Sequence, residues 1–313
     1  MTRAFVFPGQ GSQAIGMGKD LSDAFPVARS VFEEVDDALN QKLFKLMQDG
    51  PDSDLTLTEN AQPALMAVSL AVVRVLETEG GRSLSDMVEC VAGHSLGEYS
   101  ALAAARALEL ADTARLLKLR GKAMQAAVPV GEGAMAAILG LDLEQAEAVA
   151  AQAAQGDICA AANDNAPGQV VISGTRAAVE RAIEIAKEMG AKRAMLLPVS
   201  APFHCDLMAP AADAMARALG ETVIQPPAVP IIANVTAARC IDPEALRTQL
   251  VEQVCGRVRW RECVLTMKDL GVDTLVEVGA GKVLSGLARR IDKDLTGVAV
   301  NGPSDVEAFL KSL

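Results

Sequence analysis

The sequence predicts an α/β protein: a large domain built on a parallel sheet, into which a smaller, ferredoxin-like domain is inserted. Three observations carry this. Short apolar runs of strand length alternate with longer stretches of helical period. One such run ends in Gly93-His94-Ser95-Leu96-Gly97 and passes directly into a helix-forming stretch, Leu96 to Ala107, which is the strand–turn–helix context of an exposed serine. Residues 129–198 then change rhythm and read strand, helix, strand, strand, helix, strand, the βαββαβ order of a ferredoxin-like unit. The large domain is therefore expected over 1–128 and 199–313, and the small one over 129–198.

Composition bounds what such a protein does. Of 313 residues, 50% are hydrophobic and only 3% aromatic, so the core is mostly Ala, Leu and Val. The net charge of −11 argues against nucleic acid or an anionic membrane surface as a main partner. Thr2-Arg3 runs straight into a strand, with no N-terminal signal, and no apolar run reaches the ~18 uninterrupted residues of a membrane span. The six cysteines include no Cys-x-x-Cys spacing and read as reduced, packed thiols of a cytoplasmic protein, neither a disulfide nor a metal framework. No metal and no resident cofactor is expected, and the chain is expected to be a monomer.

In chain order, Ala4–Phe7 reads as a strand. The loop Pro8–Ala14 after it fits Gly-x-Gly-x-x-Ala, a variant of the dinucleotide fingerprint. That fingerprint needs a second strand ending in an acidic residue about 20 positions on. Pro26–Leu39 instead has Val27, Val31, Val35 and Leu39 at helical spacing, which speaks against a nucleotide. The loop remains either a tight turn or a donor of a backbone N–H to a site at the sheet's edge. Glu59–Glu79 reads as a long helix with Gln62-Pro63 near its start, ended by Gly80-Gly81. Met87–Ala92 reads as the strand before the elbow. In such an elbow flanking glycines are needed because side chains would collide, and the helix N-terminus beyond supplies free N–H donors. The alternative is a Gly-rich turn with a capping serine.

Asp112–Val128 is the most informative helix. Arg115, Lys118, Lys122 and Gln125 fall on one polar stripe, with Leu116, Leu117, Met124 and Ala127 opposite. Arg120 falls in the middle of the apolar face. It is either half of a buried ion pair or a guanidinium held in a pocket for an anionic substrate group, whose carboxylate its planar fork would bind through two hydrogen bonds.

In the small domain, strands are expected over Gly133–Gly140, Asp157–Ala162, Gln169–Ser173 and Arg193–Leu197, helices over Leu143–Gln155 and Arg176–Met189, and a turn over Asn163–Gly168. Pro198–Asp206 returns to the large domain. The chain has two histidines. His94 adjoins Ser95 and points away from it on an elbow, so His204 is the candidate base. Asp206 is too near in sequence to reach the far ring nitrogen of His204, so a backbone carbonyl is the candidate to orient the ring. Asp273–Val278 is a further strand, followed by Gly279-Ala280-Gly281-Lys282. That turn is not a P-loop, because Val283 stands where the motif needs Ser or Thr.

Taken together, Phe7-Pro-Gly-Gln-Gly-Ser-Gln13, Gln62-Pro63-Ala64, Gly93-His-Ser-Leu-Gly-Glu-Tyr-Ser100, Arg120-Gly121-Lys122, Pro167–Gly174, Pro202-Phe-His204 and Glu277–Lys282 resemble, over essentially the full length, the bacterial malonyl-CoA:acyl carrier protein transacylases. The resemblance implies an α/β-hydrolase-like large domain with a ferredoxin-like insertion. It implies Ser95 as nucleophile, His204 as base, the backbone carbonyl of Gln253 as the group orienting His204, the N–H groups of Gln10 and Leu96 as oxyanion hole, Arg120 as partner of the malonyl carboxylate, and Gln62 in the pocket. It further implies malonyl-CoA, a coenzyme A thioester, as donor and the phosphopantetheine thiol of acyl carrier protein as acceptor. Ala280 stands where the family commonly has proline, and Ala161–Asn165 departs from the usual residues before the small-domain turn. Carrier proteins are acidic, so docking on an acidic enzyme calls for a local basic patch, for which Lys282, Arg289 and Arg290 around the last helix are candidates.

Overall fold

A computed structural model describes residues 1–313. Ten strands build two sheets: β1 (Arg3–Phe7), β2 (Cys90–Gly93), β3 (Gly133–Leu139), β4 (Cys159–Ala166), β5 (Gln169–Thr175), β6 (Arg193–Leu196), β7 (Ile231–Ile232), β8 (Arg239–Cys240), β9 (Thr274–Val278) and β10 (Thr296–Val300). The larger sheet has the order β10-β9-β1-β2-β7-β8. Its pairings are parallel except for the antiparallel edge strand β8.

The central strands are apolar on both faces because both are covered, and their side chains alternate between two cores. Phe5, Phe7, Val91, Val276 and Val278 enter a cluster of 62 residues, while Ala4, Val6, Cys90, Ala92 and Leu275 enter one of 18 on the opposite face. The helix Thr58–Gly80 lies in the larger core, along with much of Leu110–Ala127. By length and composition Thr58–Gly80 is apolar enough to cross a membrane, although Gln62, Ser69 and Arg74 interrupt its apolar run, as expected from the sequence. However, 83% of its most apolar window is buried inside the protein, where it serves as a core helix.

The smaller sheet has the order β4-β5-β3-β6 and is wholly antiparallel. The helices Leu143–Ala154 and Arg176–Glu188 pack on one face in a core of 12 residues that includes Ala136, Ile138, Val149, Ile172 and Val179. Met135, Ala162 and Val171 point the other way and join the large core. The small unit is thus separate in chain order but laced to the rest. Asp164 N donates to Val258 O at 3.0 Å, Val258 N donates to Ala162 O at 2.9 Å, and Arg261 pairs with buried Asp164.

Three local expectations are corrected. Met87 closes a short helix, Leu84–Met87, and the elbow strand starts only at Cys90. The cause is a capping box in which Ser83 N donates to Asp86 Oδ2 at 3.0 Å. Asn163–Ala166 is strand and not turn, because β4 continues through two irregularities while Asn163 bridges laterally to Val258, a partner distant in sequence that no local signal announces. Lys282, Arg289 and Arg290 belong to the helix region Val283–Ile291, but a later helix, Pro303–Leu310, is the last one.

Candidate active site

The C-terminal ends of β1 and β2 converge on the elbow. β2 ends at Gly93, Ser95 has φ 54°, and the helix Gly97–Ala104 starts two residues later. A Cβ on Gly93 would lie 1.9 Å from the Gly97 carbonyl carbon, and one on Gly97 would lie 2.3 Å from Phe7 O. Neither position has room for any side chain, which is the steric condition the sequence pattern implied. The left-handed backbone at Ser95 is strained for a residue with a Cβ. It is braced by Asn234, whose Oδ1 accepts from Ser95 N at 2.8 Å and whose Nδ2 donates to Gly93 O at 2.7 Å.

Ser95 Oγ lies 2.8 Å from His204 Nε2. His204 is buried and itself has a positive φ of 58°. Its Nδ1 faces two carbonyl oxygens, Gln253 O at 2.9 Å and Gly256 O at 3.1 Å. Carbonyls only accept, so Nδ1 carries the hydrogen and Nε2 is left as acceptor for the serine hydroxyl. Gln253 lies in the last turn of the helix Pro243–Cys255, where carbonyls lack intrahelical partners and are free to take this bond. Burial, then the Arg120 charge, pushes the His204 pKa down to about 3, so the ring is neutral at physiological pH. Asp206, in the turn just beyond, makes no bond to the ring.

Arg120 is buried and pairs with no carboxylate. Its Nη1 donates to Gln62 Oε1 at 2.9 Å, and its Nη2 donates to Gln253 Oε1 at 2.9 Å and to Ser95 Oγ at 3.1 Å. Its guanidinium carbon lies 5.6 Å from the centre of the Tyr99 ring, and Nε has no partner. The ion-pair alternative for Arg120 is therefore excluded: neutral amides and a ring hold the cation, leaving its charge available. Glu98 is buried nearby. Its Oε2 accepts from Asn234 N at 3.0 Å and Gln253 Nε2 at 2.8 Å, and burial raises its pKa to about 7.

These groups lie along a cleft of about 460 Å³ lined by Gln10, Gln62, Ser95, Leu96, Arg120 and His204, with Met124, Met135, Val171 and Phe203 as apolar walls. The N–H groups of Gln10 and Leu96 donate to no backbone carbonyl. The small sheet forms one wall. Asn163 and Asn165 line it, and Asn165 Oδ1 lies 2.8 Å from His94 Nε2, so His94 is turned away from Ser95 toward β4. All seven residues singled out from sequence or resemblance are thus gathered in one place. Glu98 and Asn234 were not foreseen. Glu98 carried the same signal as Arg120, a charge in an apolar helical run, whereas Asn234 sits in a loop with no pattern around it.

A strained serine bonded to a neutral histidine in an α/β fold, with an unpaired cation beside it, defines an acyl-transfer class of site. A model of the acyl transferase domain matches residues 4–304, and the chain belongs to that family. Its branch is that of the malonyl-CoA:acyl carrier protein transacylases. It is 47% identical over 308 residues to the malonyl CoA-acyl carrier protein transacylase of Escherichia coli (strain K12), with 98% of each chain covered. The crystal structure of the acyl-carrier-protein-S-malonyltransferase from Bartonella henselae matches with a TM-score of 0.97 and 57% identity, covering 100% of this chain and 99% of that one. A malonyl-transacylase solved in complex with a type II PKS acyl-carrier protein matches with a TM-score of 0.97 and 45% identity over 100% of both chains.

Proposed function

We propose that this enzyme, an acyl carrier protein S-malonyltransferase, works by ping-pong transfer through a malonyl ester of Ser95. The observation that carries the reading is that one oxygen, Ser95 Oγ, lies within hydrogen-bond reach of both a neutral imidazole and an unpaired guanidinium.

His204 Nε2 takes the Ser95 proton as Oγ attacks the malonyl thioester carbon of malonyl-CoA. The oxyanion is received by the N–H groups of Gln10 and Leu96, donors of a kind worth about 2.7–4 kcal/mol each. The C–S bond breaks, His204 returns the proton to the coenzyme A sulfur, and malonyl stays on Ser95. The phosphopantetheine thiol of acyl carrier protein then repeats the sequence in reverse, losing its proton to His204. Gln253 O holds the imidazole in the tautomer both halves need. Arg120, steadied by Gln62, takes the free malonyl carboxylate. No step calls on a metal or bound cofactor.

The enzyme supplies malonyl groups to fatty acid synthesis. A polyketide pathway is the second reading, favoured by the likeness to a transacylase solved with a type II PKS carrier protein. We read residues 1–128 and 199–313 as an α/β-hydrolase-like domain and 129–198 as a ferredoxin-like one, supported by the strand order β4-β5-β3-β6 between two helices on one face. Docking of the carrier is assigned to exposed Lys282, Arg289 and Arg290. A Cβ on Gly281 would lie 3.1 Å from Ser12, which places Lys282 beside the loop that carries Gln10. A cytoplasmic monomer is the expected form.

The test is an intact mass after mixing with malonyl-CoA and no carrier, with Ser95→Ala as control. A malonyl adduct in wild type alone is expected. Free malonate without an adduct would make the protein a hydrolase instead.

A further inference from the structure

Glu98 is a buried carboxyl that touches none of the reacting atoms, yet it lies at the head of a chain of amide contacts leading to Arg120. Its Oε2 accepts from Gln253 Nε2 at 2.8 Å, and the same nitrogen donates its second hydrogen to Ser95 O at 2.9 Å. Both neighbours are acceptors, so the nitrogen end of the Gln253 amide must face them. The oxygen end, Oε1, must then face Arg120 Nη2 at 2.9 Å. An amide can rotate end for end at little steric change, and the reversed orientation would aim an NH₂ group at the guanidinium. Glu98, together with the Ser95 carbonyl, disfavours that alternative. The second donor to Oε2 is the backbone N of Asn234, the residue that braces the elbow, so the carboxyl is itself held from two elements. Glu98 Oε1 has no partner.

We propose that Glu98 is a positioning residue for malonyl recognition, acting through the Gln253 side chain to hold the Arg120 fork where the malonyl carboxylate arrives. The proposal rests on the roles given above to Ser95 and Arg120. It assigns the effect to the placement of an acceptor at Oε2. Glu98→Gln therefore retains it: the amide oxygen takes the Oε2 position, and the nitrogen falls where Oε1 already lacks a bond. Glu98→Asp withdraws the acceptor by one methylene and loses the effect while keeping the charge. Glu98→Ala loses it outright.

The experiment is single-turnover loading of Ser95, followed by intact mass against donor concentration, with malonyl-CoA and acetyl-CoA in parallel. Acetyl has no carboxylate for Arg120, so it reports acylation of Ser95 without recognition of the malonyl carboxylate. Glu98→Ala and Glu98→Asp are expected to raise the concentration of malonyl-CoA needed for half-maximal loading about tenfold, with acetyl loading changed less than about twofold and Glu98→Gln within about threefold of wild type. A merely structural role would slow both donors together, and that result would overturn the proposal. So would a Glu98→Gln enzyme as impaired as Glu98→Asp, since an acceptor kept at the Oε2 position would then not be what holds the fork. If Glu98→Ala does not fold, the Asp and Gln variants decide the question between them. Wild-type protein that loads neither donor would instead overturn the reading of Ser95 itself, and this proposal with it.

Discussion

The two sheets divide the labour of the site unequally. The parallel sheet brings chemistry: the ends of β1 and β2 deliver Gln10, Ser95 and Leu96, and helices covering that sheet deliver Arg120 and Gln253. The antiparallel sheet brings shape: Met135, Val171, Asn163 and Asn165 line the cleft and form no hydrogen bond with Ser95 Oγ. In a parallel sheet all strands finish at the same edge, so loops from strands far apart in sequence meet there. An antiparallel sheet has no such common edge, and here it contributes a face.

That comparison breaks if substitutions in the wall damage the chemistry as much as those at the edge. Ser95→Ala should give the largest effect, a loss of transfer of at least about 10⁴-fold in kcat/KM, measured as coenzyme A release in the presence of carrier. Arg120→Ala comes next. It should lower malonyl transfer by roughly 10²–10⁴-fold, the loss expected when one partner of a buried charge pair costing about 3–5 kcal/mol is removed, and it should raise acetyl transfer relative to malonyl. Competition between the two donors measures it, and a malonyl preference that survives the change would remove Arg120 from its role.

Two titrations should pull stability in opposite directions. His204, held down to about 3 when folded, titrates higher when unfolded. The unfolded chain then binds more protons between about 3 and 6.5, so this group's contribution is lost as pH falls through that window. Glu98, held up to about 7, acts the other way, and its contribution is lost as pH rises from about 4.5 to 7. Glu98→Gln should therefore match wild type near pH 4.5 and exceed it above pH 7, by on the order of 1–3 kcal/mol. Denaturant unfolding of the two proteins at both pH values would reveal this, and a gap independent of pH would contradict it. The smallest effect is expected from the wall. Asn165→Ala should remove one hydrogen bond to His94, worth about 1 kcal/mol, and lower kcat/KM by no more than about tenfold with a normal Ser95 adduct.

Much of this site was legible because its signals are local. The elbow is a five-residue pattern whose glycines answer a collision within a few residues of each other. Arg120 announced itself by breaking an apolar stripe, which a 3.6-residue period makes visible. The strand and helix order of 129–198 followed from composition and turn residues. What failed to show were the groups whose placement depends on distant backbone: Glu98 and Asn234, the strand continuing through Asn163–Ala166, and the helical turn that takes Met87 out of the elbow strand.

The sequence by itself determined the strand–turn–helix at Ser95, the scarcity that made His204 the candidate base, and the presence of a charge inside an apolar helix face. Each is a matter of residue type at short range. Only the tertiary structure decided that Arg120 has no carboxylate partner, that two helix-end carbonyls face Nδ1 of His204, and that the nitrogen end of Gln253 lies on Glu98 while its oxygen end meets the guanidinium. Those facts depend on directed hydrogen bonds between residues 49 to 155 positions apart, and direction at that range exists only once the chain has packed.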